Sequence, residues 1–295
     1  MTFVPRAQVL RLEEMYRLGR CFSELGVTKL RITGGEPLVR PNVVWLFERL
    51  GELSSINDLT LTTNATQLGR YANALKDAGV TRINISLDTL NPERFRRITR
   101  VGDIEKTLGG LDAALRTGFQ RIKLNTVVLK HRNHDEVVDL VRFAIGRGID
   151  ISFIEEMPLG MIGDHDRAES YFSSDQIRSV LEKHFDLLPT IDQTGGPSKY
   201  LRIAGEDTRV GFISPHSHNF CGDCNRVRVT ATGRLLLCLG QEHSADLRRT
   251  LHAHPTDDER VKKALVAAME LKPAGHDFDL QAKPIIFRHM NTTGG

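Results

Sequence analysis

The sequence predicts an α/β fold in which five parallel strands alternate with helices and a smaller α+β region follows. Three observations support this prediction. Short apolar runs alternate with amphipathic stretches over the first 158 residues, polar residues follow each run, and the pattern changes after residue 158. Alternating strands and helices form parallel sheets with right-handed crossovers. Five such units form either an open doubly wound sheet or part of a barrel.

The five predicted strands are short and rich in β-branched residues. They cover residues 29–33, 59–63, 82–87, 122–129 and 151–157. Five helices are predicted from helical periodicity, one before each strand. They cover residues 10–25, 43–53, 68–78, 104–117 and 136–146. A glycine closely follows four of these helices, which is typical of helix C-termini: Gly26, Gly79, Gly118 and Gly148.

Beyond residue 158 the pattern predicts a mixed α+β region. One helix is predicted over residues 173–184, with Ser173 or Ser174 as its N-cap, and another over 257–271, with Thr256 as its N-cap. Short strands are predicted over residues 200–203, 210–213, 226–230 and 234–239. The last two form a hairpin around Gly233. We therefore divide the chain into a βα region, residues 1–158, and a C-terminal region, residues 159–295.

Composition and charge narrow the function classes. The chain has 295 residues, with 40 basic and 37 acidic side chains and a net charge of +3. This balance argues against nucleic-acid binding by bulk electrostatics and allows a small anionic substrate held by a few arginines. No run of 18 apolar residues and no apolar signal-peptide core occurs. Only four cysteines occur, three of them clustered, which favours a reducing compartment over a secreted disulfide scaffold. Taken with the charge balance and the lack of long apolar runs, this predicts a cytoplasmic protein with no nucleic-acid or membrane partner.

Polar residues at the ends of the predicted strands indicate a ligand site, because the carboxyl ends of parallel strands share one rim. The first end reads Gly34-Gly35-Glu36-Pro37. Two glycines let a ligand approach the backbone closely, and Glu36 offers a carboxylate to an ammonium group. The alternative explanation is a tight turn between strand and helix. The other ends read Thr62-Thr63-Asn64, Ser86-Leu87-Asp88, Asn125-Thr126 and Glu155-Glu156-Met157-Pro158.

Cys221, Cys224 and Cys238 are the candidate metal ligands. A Cys-x2-Cys pair in a loop with a third cysteine on a hairpin is typical of metal sites. Zinc requires a fourth ligand, whereas an iron–sulfur cluster tolerates three cysteines and an open iron. The spacing alone leaves both open. Histidines that could complete a zinc site are His216, His218 and His243.

Basic side chains suit an anionic ligand beside the cysteines. Arg226 and Arg228 alternate on a predicted strand, so both point to one face. Two guanidinium groups there form a fork for phosphate or carboxylate, although a solvated strand face is the alternative. Arg31 and Lys123 lie in otherwise apolar strands, where a charge must face a polar interior or be paired. Cys21, on a predicted helix, is interpreted as a buried small hydrophobe.

Together these motifs resemble the radical S-adenosylmethionine enzymes and, among them, the GTP 3′,8-cyclase family. The resemblance covers essentially the whole chain. The segment with the cysteines and the two arginines is its specific part, whereas Gly-Gly-Glu-Pro is shared with many radical enzymes. The matching segments are Arg31-Ile-Thr-Gly-Gly-Glu-Pro37-Leu-Val-Arg40, Thr62-Thr-Asn64, Asn84-Ile-Ser-Leu-Asp88, Lys123-Leu-Asn125-Thr, Cys221 to Arg228 with Cys238, and Gly294-Gly295.

The resemblance implies an incomplete parallel (β/α) barrel of the TIM type with six units, two [4Fe-4S] clusters and bound S-adenosylmethionine. In this family S-adenosylmethionine is cleaved to a radical that abstracts the ribose 3′ hydrogen of GTP, and the ribose carbon then attacks C8 of the base. The product is (8S)-3′,8-cyclo-7,8-dihydroguanosine 5′-triphosphate, made in the first step of molybdenum cofactor (molybdopterin) biosynthesis. A functional link to cyclic pyranopterin monophosphate synthase and a homodimer are further expectations.

The resemblance also assigns site residues, position by position. The second cluster holds the guanine, and its implied ligands are Cys221, Cys224 and Cys238. The implied GTP contacts are Arg31, Thr62, Lys123, Arg226, Val227 and Arg228. The implied contacts of S-adenosylmethionine are Gly35, Glu36, Ser86 and Met157. The residues that it implies are catalytic are Arg226, Arg228, Gly294 and Gly295.

The sequence departs from the family pattern at one point. It has no Cys-x3-Cys-x2-Cys motif, which the family's radical-generating cluster needs, and five units are predicted rather than six. We expect that the first strand and its cysteine loop are absent, that the chain is N-terminally truncated relative to the family, and that two strand edges and apolar surface are exposed. We also expect neither S-adenosylmethionine cleavage nor cyclase turnover from the chain as written.

Two alternatives to the cyclase remain. One is a non-catalytic protein of the same fold that binds metal or GTP. The other is a different radical enzyme with an auxiliary cluster that acts on a peptide. Arg226, Arg228 and the diglycine end argue against the latter.

Overall fold

The structure, a computed structural model, describes residues 4–160, 166–276 and 278. Its strands are β1 (Lys29–Ile32), β2 (Asp58–Thr63), β3 (Val80–Ser86), β4 (Arg121–Val128), β5 (Asp150–Glu155), β6 (Leu187–Pro189), β7 (Lys199–Ile203), β8 (Arg209–Ile213), β9 (Arg228–Val229), β10 (Arg234–Leu236) and β11 (Ser244–Asp246). Its helices are α1 (Leu12–Glu24), α2 (Val43–Gly51), α3 (Leu68–Asp77), α4 (Pro92–Thr99), α5 (Ile104–Thr117), α6 (Val137–Ile145), α7 (Arg167–Ser170), α8 (Ser174–Leu181), α9 (Leu247–Ala253) and α10 (Asp258–Met269).

Strands β1 to β8 form one mostly parallel sheet, in the spatial order β1-β2-β3-β4-β5-β8-β7-β6. Neighbours from β1 through β5 to β8 are parallel, and β7 and β6 add antiparallel pairs. All five predicted strands and five predicted helices of the βα region are present, with bounds within two residues of the prediction. The predicted fold class, an open and incomplete α/β barrel, is confirmed.

One face of the sheet is apolar and packs against helices. Alternate strand residues such as Leu61, Ile85, Leu124 and Phe153 are fully buried, and they join the apolar sides of α2, α3, α5, α6 and α8 in one core. Because successive side chains of a strand point to opposite faces, the residues between them line the other face. That inner face carries the polar and charged side chains.

The sheet continues beyond residue 158. Strand β8, from the C-terminal region, pairs in parallel with β5. The division of the chain at residue 158 stays a prediction. At the opposite edge β1 pairs, within the described residues, only with β2, which leaves one side of its backbone outside the sheet.

Strands β9, β10 and β11 form a second, small antiparallel sheet. The predicted hairpin around Gly233 is confirmed, and the positive φ of that glycine, 79°, suits the turn. Residues of this sheet pack with α1, α9 and α10 in a second core that contains Leu235, Leu265 and Cys21. The core therefore joins the hairpin to the main sheet through α1.

Two details of the C-terminal prediction are corrected. Arg226 precedes β9 and is not part of it, because the ladder begins at Arg228. The N-cap of α10 is Asp257, not Thr256, since the Asp257 carboxylate accepts a hydrogen bond from the Arg260 backbone N–H at 3.1 Å. The N-cap of α8 is Ser173, as predicted. Among the described residues, no helix combines the length and the apolar character needed to cross a bilayer.

Candidate functional site

Polar side chains of neighbouring strands form a row across the inner face of the sheet. The strand register places Arg31 beside Thr60, Thr62 beside Asn84, and Asn84 beside Lys123. Arg31 Nε donates to Thr60 Oγ1 at 3.3 Å, and Asn84 Nδ2 donates to Thr62 Oγ1 at 3.3 Å. The structure therefore brings the predicted GTP contacts Arg31, Thr62 and Lys123 onto one surface.

Lys123 is held in place by an aromatic residue that the sequence did not single out. Its Nζ donates to the Tyr200 hydroxyl at 3.3 Å and lies 5.7 Å from the centroid of that ring. The Arg209 guanidinium lies over the same ring at 4.9 Å. Burial lowers the pKa of Lys123, and the charge of Arg31 lowers it further, while Tyr200 opposes both. Lys123 is thus a fixed cation that faces other cations.

Carboxylates of the inner face lie at the amino ends of the strands. Asp58 pairs with Arg82 and lies 2.9 Å from Lys29, and Asp150 pairs with Arg209 at 2.6 Å. These ion pairs close the amino end of the inner face. An anionic ligand would therefore be attracted to the other basic side chains rather than to this end.

Arg31, Arg226 and Arg228 lie near enough to one another to interact through their charges. Burial lowers the pKa of Arg228 to about 10, and the charges of Arg226 and Arg31 add to that effect. Burial also lowers the pKa of Arg31, followed by the charges of Arg82 and Arg226. Arg31 is nevertheless open to solvent, as expected of a side chain that lines an open concave face. This convergence is a site of excess positive charge that suits a polyanion.

The three clustered cysteines lie next to these arginines. Cys221 begins a short 3₁₀ turn, Cys224 ends it, and Cys238 follows β10. All three are half-buried free thiols. Arg226 Nη2 lies 3.7 Å from Cys224 Sγ. Burial raises the pKa of Cys238, and the charges of Cys221 and Cys224 raise it further, so the three thiols are electrostatic neighbours.

This donor set fits a cluster better than a single ion. Within the described ranges no three His, Cys, Asp or Glu side chains converge on a single-ion site. In a [4Fe-4S] cluster each cysteine binds a different iron, so the thiolates stand farther apart than the ligands of one zinc ion. Two of the histidines proposed for zinc are engaged elsewhere: His216 Nε2 with the Glu156 carbonyl at 2.9 Å, and His218 Nε2 with Asp175.

Cys21 does not join this set. It is fully buried in the second core, and burial raises its pKa to about 11. The interpretation of Cys21 as a buried small hydrophobe is confirmed. Because the remaining three cysteines lie together, the cysteines of this sequence fit one cluster and not two.

The residues predicted for S-adenosylmethionine lie at the carboxyl ends of β1, β3 and β5. Gly35 and Ser86 are exposed there, and Met157 is half-buried just after β5. The Glu36 carboxylate accepts hydrogen bonds from Leu38 N at 3.0 Å, Thr63 Oγ1 at 2.8 Å and Asn64 N at 2.7 Å. Glu36 therefore ties the turn after β1 to the end of β2, and its contact with an ammonium group stays a prediction.

Two other predicted residues are placed differently. The Val227 side chain packs against the second core, although Val227 lies between Arg226 and Arg228 in the chain. Gly294 and Gly295 lie outside the described residues.

Known proteins with similar sequences match this chain from end to end. The GTP 3′,8-cyclase of Saccharophagus degradans is 57% identical over 295 residues, which cover 100% of this chain and 89% of the relative. The chain belongs to the GTP 3′,8-cyclase family. Relatives named GTP 3′,8-cyclase from Pseudomonas entomophila, at 56% identity over 100% of this chain and 89% of the relative, and GTP 3′,8-cyclase 1 from Pseudomonas aeruginosa, at 55% over 100% and 90%, agree.

Two family models match successive parts of the chain. The Radical SAM superfamily model matches residues 2–144, and the Molybdenum Cofactor Synthesis C model matches residues 149–278. Membership of the GTP 3′,8-cyclase family places this chain among radical S-adenosylmethionine enzymes, which use [4Fe-4S] clusters. The structure of Streptococcus suis SuiB bound to S-adenosylmethionine has the same fold, with a TM-score of 0.60 and 15% identity over 86% of this chain and 60% of that one.

Proposed function

We propose that this chain binds GTP on the inner face of its sheet for the 3′,8-cyclisation of GTP in molybdenum cofactor biosynthesis, and that turnover requires the Cys-x3-Cys-x2-Cys motif that this sequence does not contain. The observation that carries the proposal is the convergence of Arg31, Arg226 and Arg228 beside three neighbouring thiols. Guanidinium groups bind phosphate oxygens in pairs of parallel hydrogen bonds, and three of them suit a triphosphate. The names of the relatives support GTP as the nucleotide.

Each group of side chains has a role in this proposal. Lys123 and Thr62 contact the nucleotide together with the arginines and the Val227 backbone, and Gly35, Glu36, Ser86 and Met157 bind S-adenosylmethionine. Cys221, Cys224 and Cys238 hold a [4Fe-4S] cluster. When bound, the cluster supplies an open iron that acts as a Lewis acid for the guanine base. The residues proposed to lie at the reacting atoms are Arg226, Arg228, Gly294 and Gly295.

The proposal extends to the setting of the reaction. The product is expected to pass to cyclic pyranopterin monophosphate synthase, and a homodimer is the proposed assembly. A cytoplasmic location is supported by four free thiols and no disulfide among them.

Replacement of Arg228 by alanine tests the proposed GTP site. We expect it to weaken GTP binding by about 10-fold to 100-fold, since a hydrogen bond to a charged group contributes about 1.5–3 kcal/mol. The measurement is the dissociation constant for GTP by equilibrium dialysis against anaerobically reconstituted protein. Arg178→Ala, at an exposed i,i+4 pair on α8, is the matched control and should bind GTP as the wild type does.

The same preparation separates turnover from binding alone. From the chain as written we expect GTP binding without 5′-deoxyadenosine, because the motif of the radical-generating cluster is not in this sequence. Formation of 5′-deoxyadenosine together with the cyclised nucleotide would contradict that expectation and show turnover. Equal GTP affinity of Arg228→Ala and wild type would contradict the proposed site.

A further inference from the structure

Lys272 joins the two chain segments that carry the clustered cysteines. Its Nζ donates to the Arg226 carbonyl at 2.9 Å and to the Leu237 carbonyl at 2.8 Å. Arg226 lies two residues after Cys224, and Leu237 directly precedes Cys238. One ammonium group therefore cross-links the Cys221–Asp223 turn region to the hairpin strand that leads to Cys238.

The cross-link lies where the strand ladder ends. Strands β9 and β10 pair from Val229 and Leu235 to Arg228 and Leu236. Beyond that pair the two segments diverge toward the cysteines. A charge-assisted hydrogen bond to each carbonyl replaces the ladder at this point, and without it two half-buried carbonyls would lose their partner.

The chain around Lys272 covers the cysteines. Lys272 N donates to the Met269 carbonyl at 3.1 Å, which fixes the residue to the end of α10. Three residues later Gly275 passes so close that a Cβ at that position would lie 3.7 Å from Cys221 Sγ. Gln241 Nε2 donates to the Gly275 carbonyl at 3.2 Å. The segment after α10 therefore contacts all three cysteine positions: Gly275 lies beside Cys221, and the Lys272 ammonium binds carbonyls close to Cys224 and Cys238.

The charge of Lys272 acts on the thiols as well as on the carbonyls. The two carbonyls that its ammonium group binds belong to Arg226, two residues after Cys224, and to Leu237, directly before Cys238. A positive charge at this distance favours an anionic centre on the cysteines.

We propose that Lys272 is a positioning residue for the iron–sulfur cluster of this chain: it holds the two cysteine-bearing segments at the separation that the cluster needs and places a positive charge beside it. This inference rests on the proposed function, in which Cys221, Cys224 and Cys238 bind a cluster. Removal of the charge should make the cluster harder to reduce, because net charge near a cluster sets its potential.

Three variants of the full chain test this inference. Lys272→Met keeps the length of the side chain and removes both donors and the charge, Lys272→Gln keeps donors without charge, and Lys272→Arg keeps both. Lys263→Met, at an exposed position of α10, is the matched control. After anaerobic reconstitution we measure iron and sulfide per chain, the rate of iron release to a chelator, and the reduction midpoint.

We expect Lys272→Met to release iron at least about 10-fold faster than wild type, because two charge-assisted hydrogen bonds are lost, and to be reduced at a more negative potential. Lys272→Arg should restore both properties, and Lys263→Met should leave them unchanged. Lys272→Gln should retain iron better than Lys272→Met and share its lower potential. If Lys272→Met does not fold, the Gln and Arg variants decide the inference on the potential alone.

The inference fails if wild type and Lys272→Met hold the same iron, release it at the same rate and share one potential. Failure of the proposed function looks different, since wild type itself would then not retain about four irons per chain. Zinc in place of iron in the wild type would also overturn both.

Discussion

Three guanidinium groups lie close together: after burial, the charge of Arg226 contributes to the lowered pKa of Arg31, and the charges of Arg226 and Arg31 contribute to that of Arg228. Their mutual repulsion costs free energy unless an anion offsets it, so the same geometry favours a polyphosphate. Arg31 and Lys123 could be predicted as inward-facing, because a charge in an apolar strand needs a polar interior. Tyr200 could not be predicted, since its contact with Lys123 joins strands that are 77 residues apart in the chain.

Asp88, just after β3, predicts a pH dependence of stability. Burial raises its pKa to about 6, although the Val127 backbone N–H donates to it at 2.8 Å and lowers it. A pKa raised by folding gives a stability contribution that is complete below the unfolded value and is lost as pH rises through the folded value. Ionised Asp88 therefore costs stability at neutral pH.

Asp88→Asn keeps the acceptor and removes the charge, so we expect it to exceed wild type in free energy of unfolding by up to about 3 kcal/mol at pH 8. The gain should shrink between about pH 6 and pH 4. Urea unfolding at pH 4.5, 6 and 8 measures it. Asp139→Asn, at an exposed position of α6, serves as control. A gain that does not vary with pH would contradict this interpretation.

The elements around the cysteines are joined by one buried carboxylate. Glu155, at the end of β5, is fully buried and accepts hydrogen bonds from Ser174 N at 2.8 Å, His216 N at 3.0 Å and Ser217 N at 3.1 Å. It thereby connects β5, the first turn of α8 and the loop that leads to Cys221. The sequence predicts Glu155 only as one of the polar residues at the strand ends. Its role as a connection could not be predicted, because its partners lie 19 to 62 residues away in the chain.

Glu155→Gln tests this connection. Burial raises the pKa of Glu155, but its hydrogen bonds lower it below the ordinary value, so its contribution is present at neutral pH and is lost on acidification. An amide offers one acceptor oxygen instead of two, so we expect a loss of about 2–4 kcal/mol in unfolding free energy at pH 7.5. Urea unfolding is the measurement, with exposed Glu182→Gln as control. Unchanged stability would rule out the connection.

Elements with a clear hydrophobic periodicity could be predicted, whereas β6 and β11 could not. The five βα units have clear periodicity, whereas β6 and β11 have three residues each and no pattern to detect. Helix α4 did carry a signal. Asn91 is its N-cap, accepting from Arg94 N at 2.9 Å, and Pro92 is its first residue, an arrangement typical of helix starts. Its many charged residues hid the apolar stripe.

At the scale of the whole molecule, the site exists because two regions share one sheet. Strand β8 pairs with β5, and the C-terminal cysteines and arginines thereby meet the inner face of β1 to β4. Local patterns predict strands but not partners so distant in the chain. The cluster and the arginines thereby form one proposed GTP site.

The GTP dissociation constant of the reconstituted wild type, measured before and after removal of the cluster with a chelator, tests that claim most directly. We expect one GTP per chain with the cluster present and about 10-fold weaker binding without it, because a metal–base contact of about 1.4 kcal/mol or more is lost. Equal GTP affinity in the two states would contradict it.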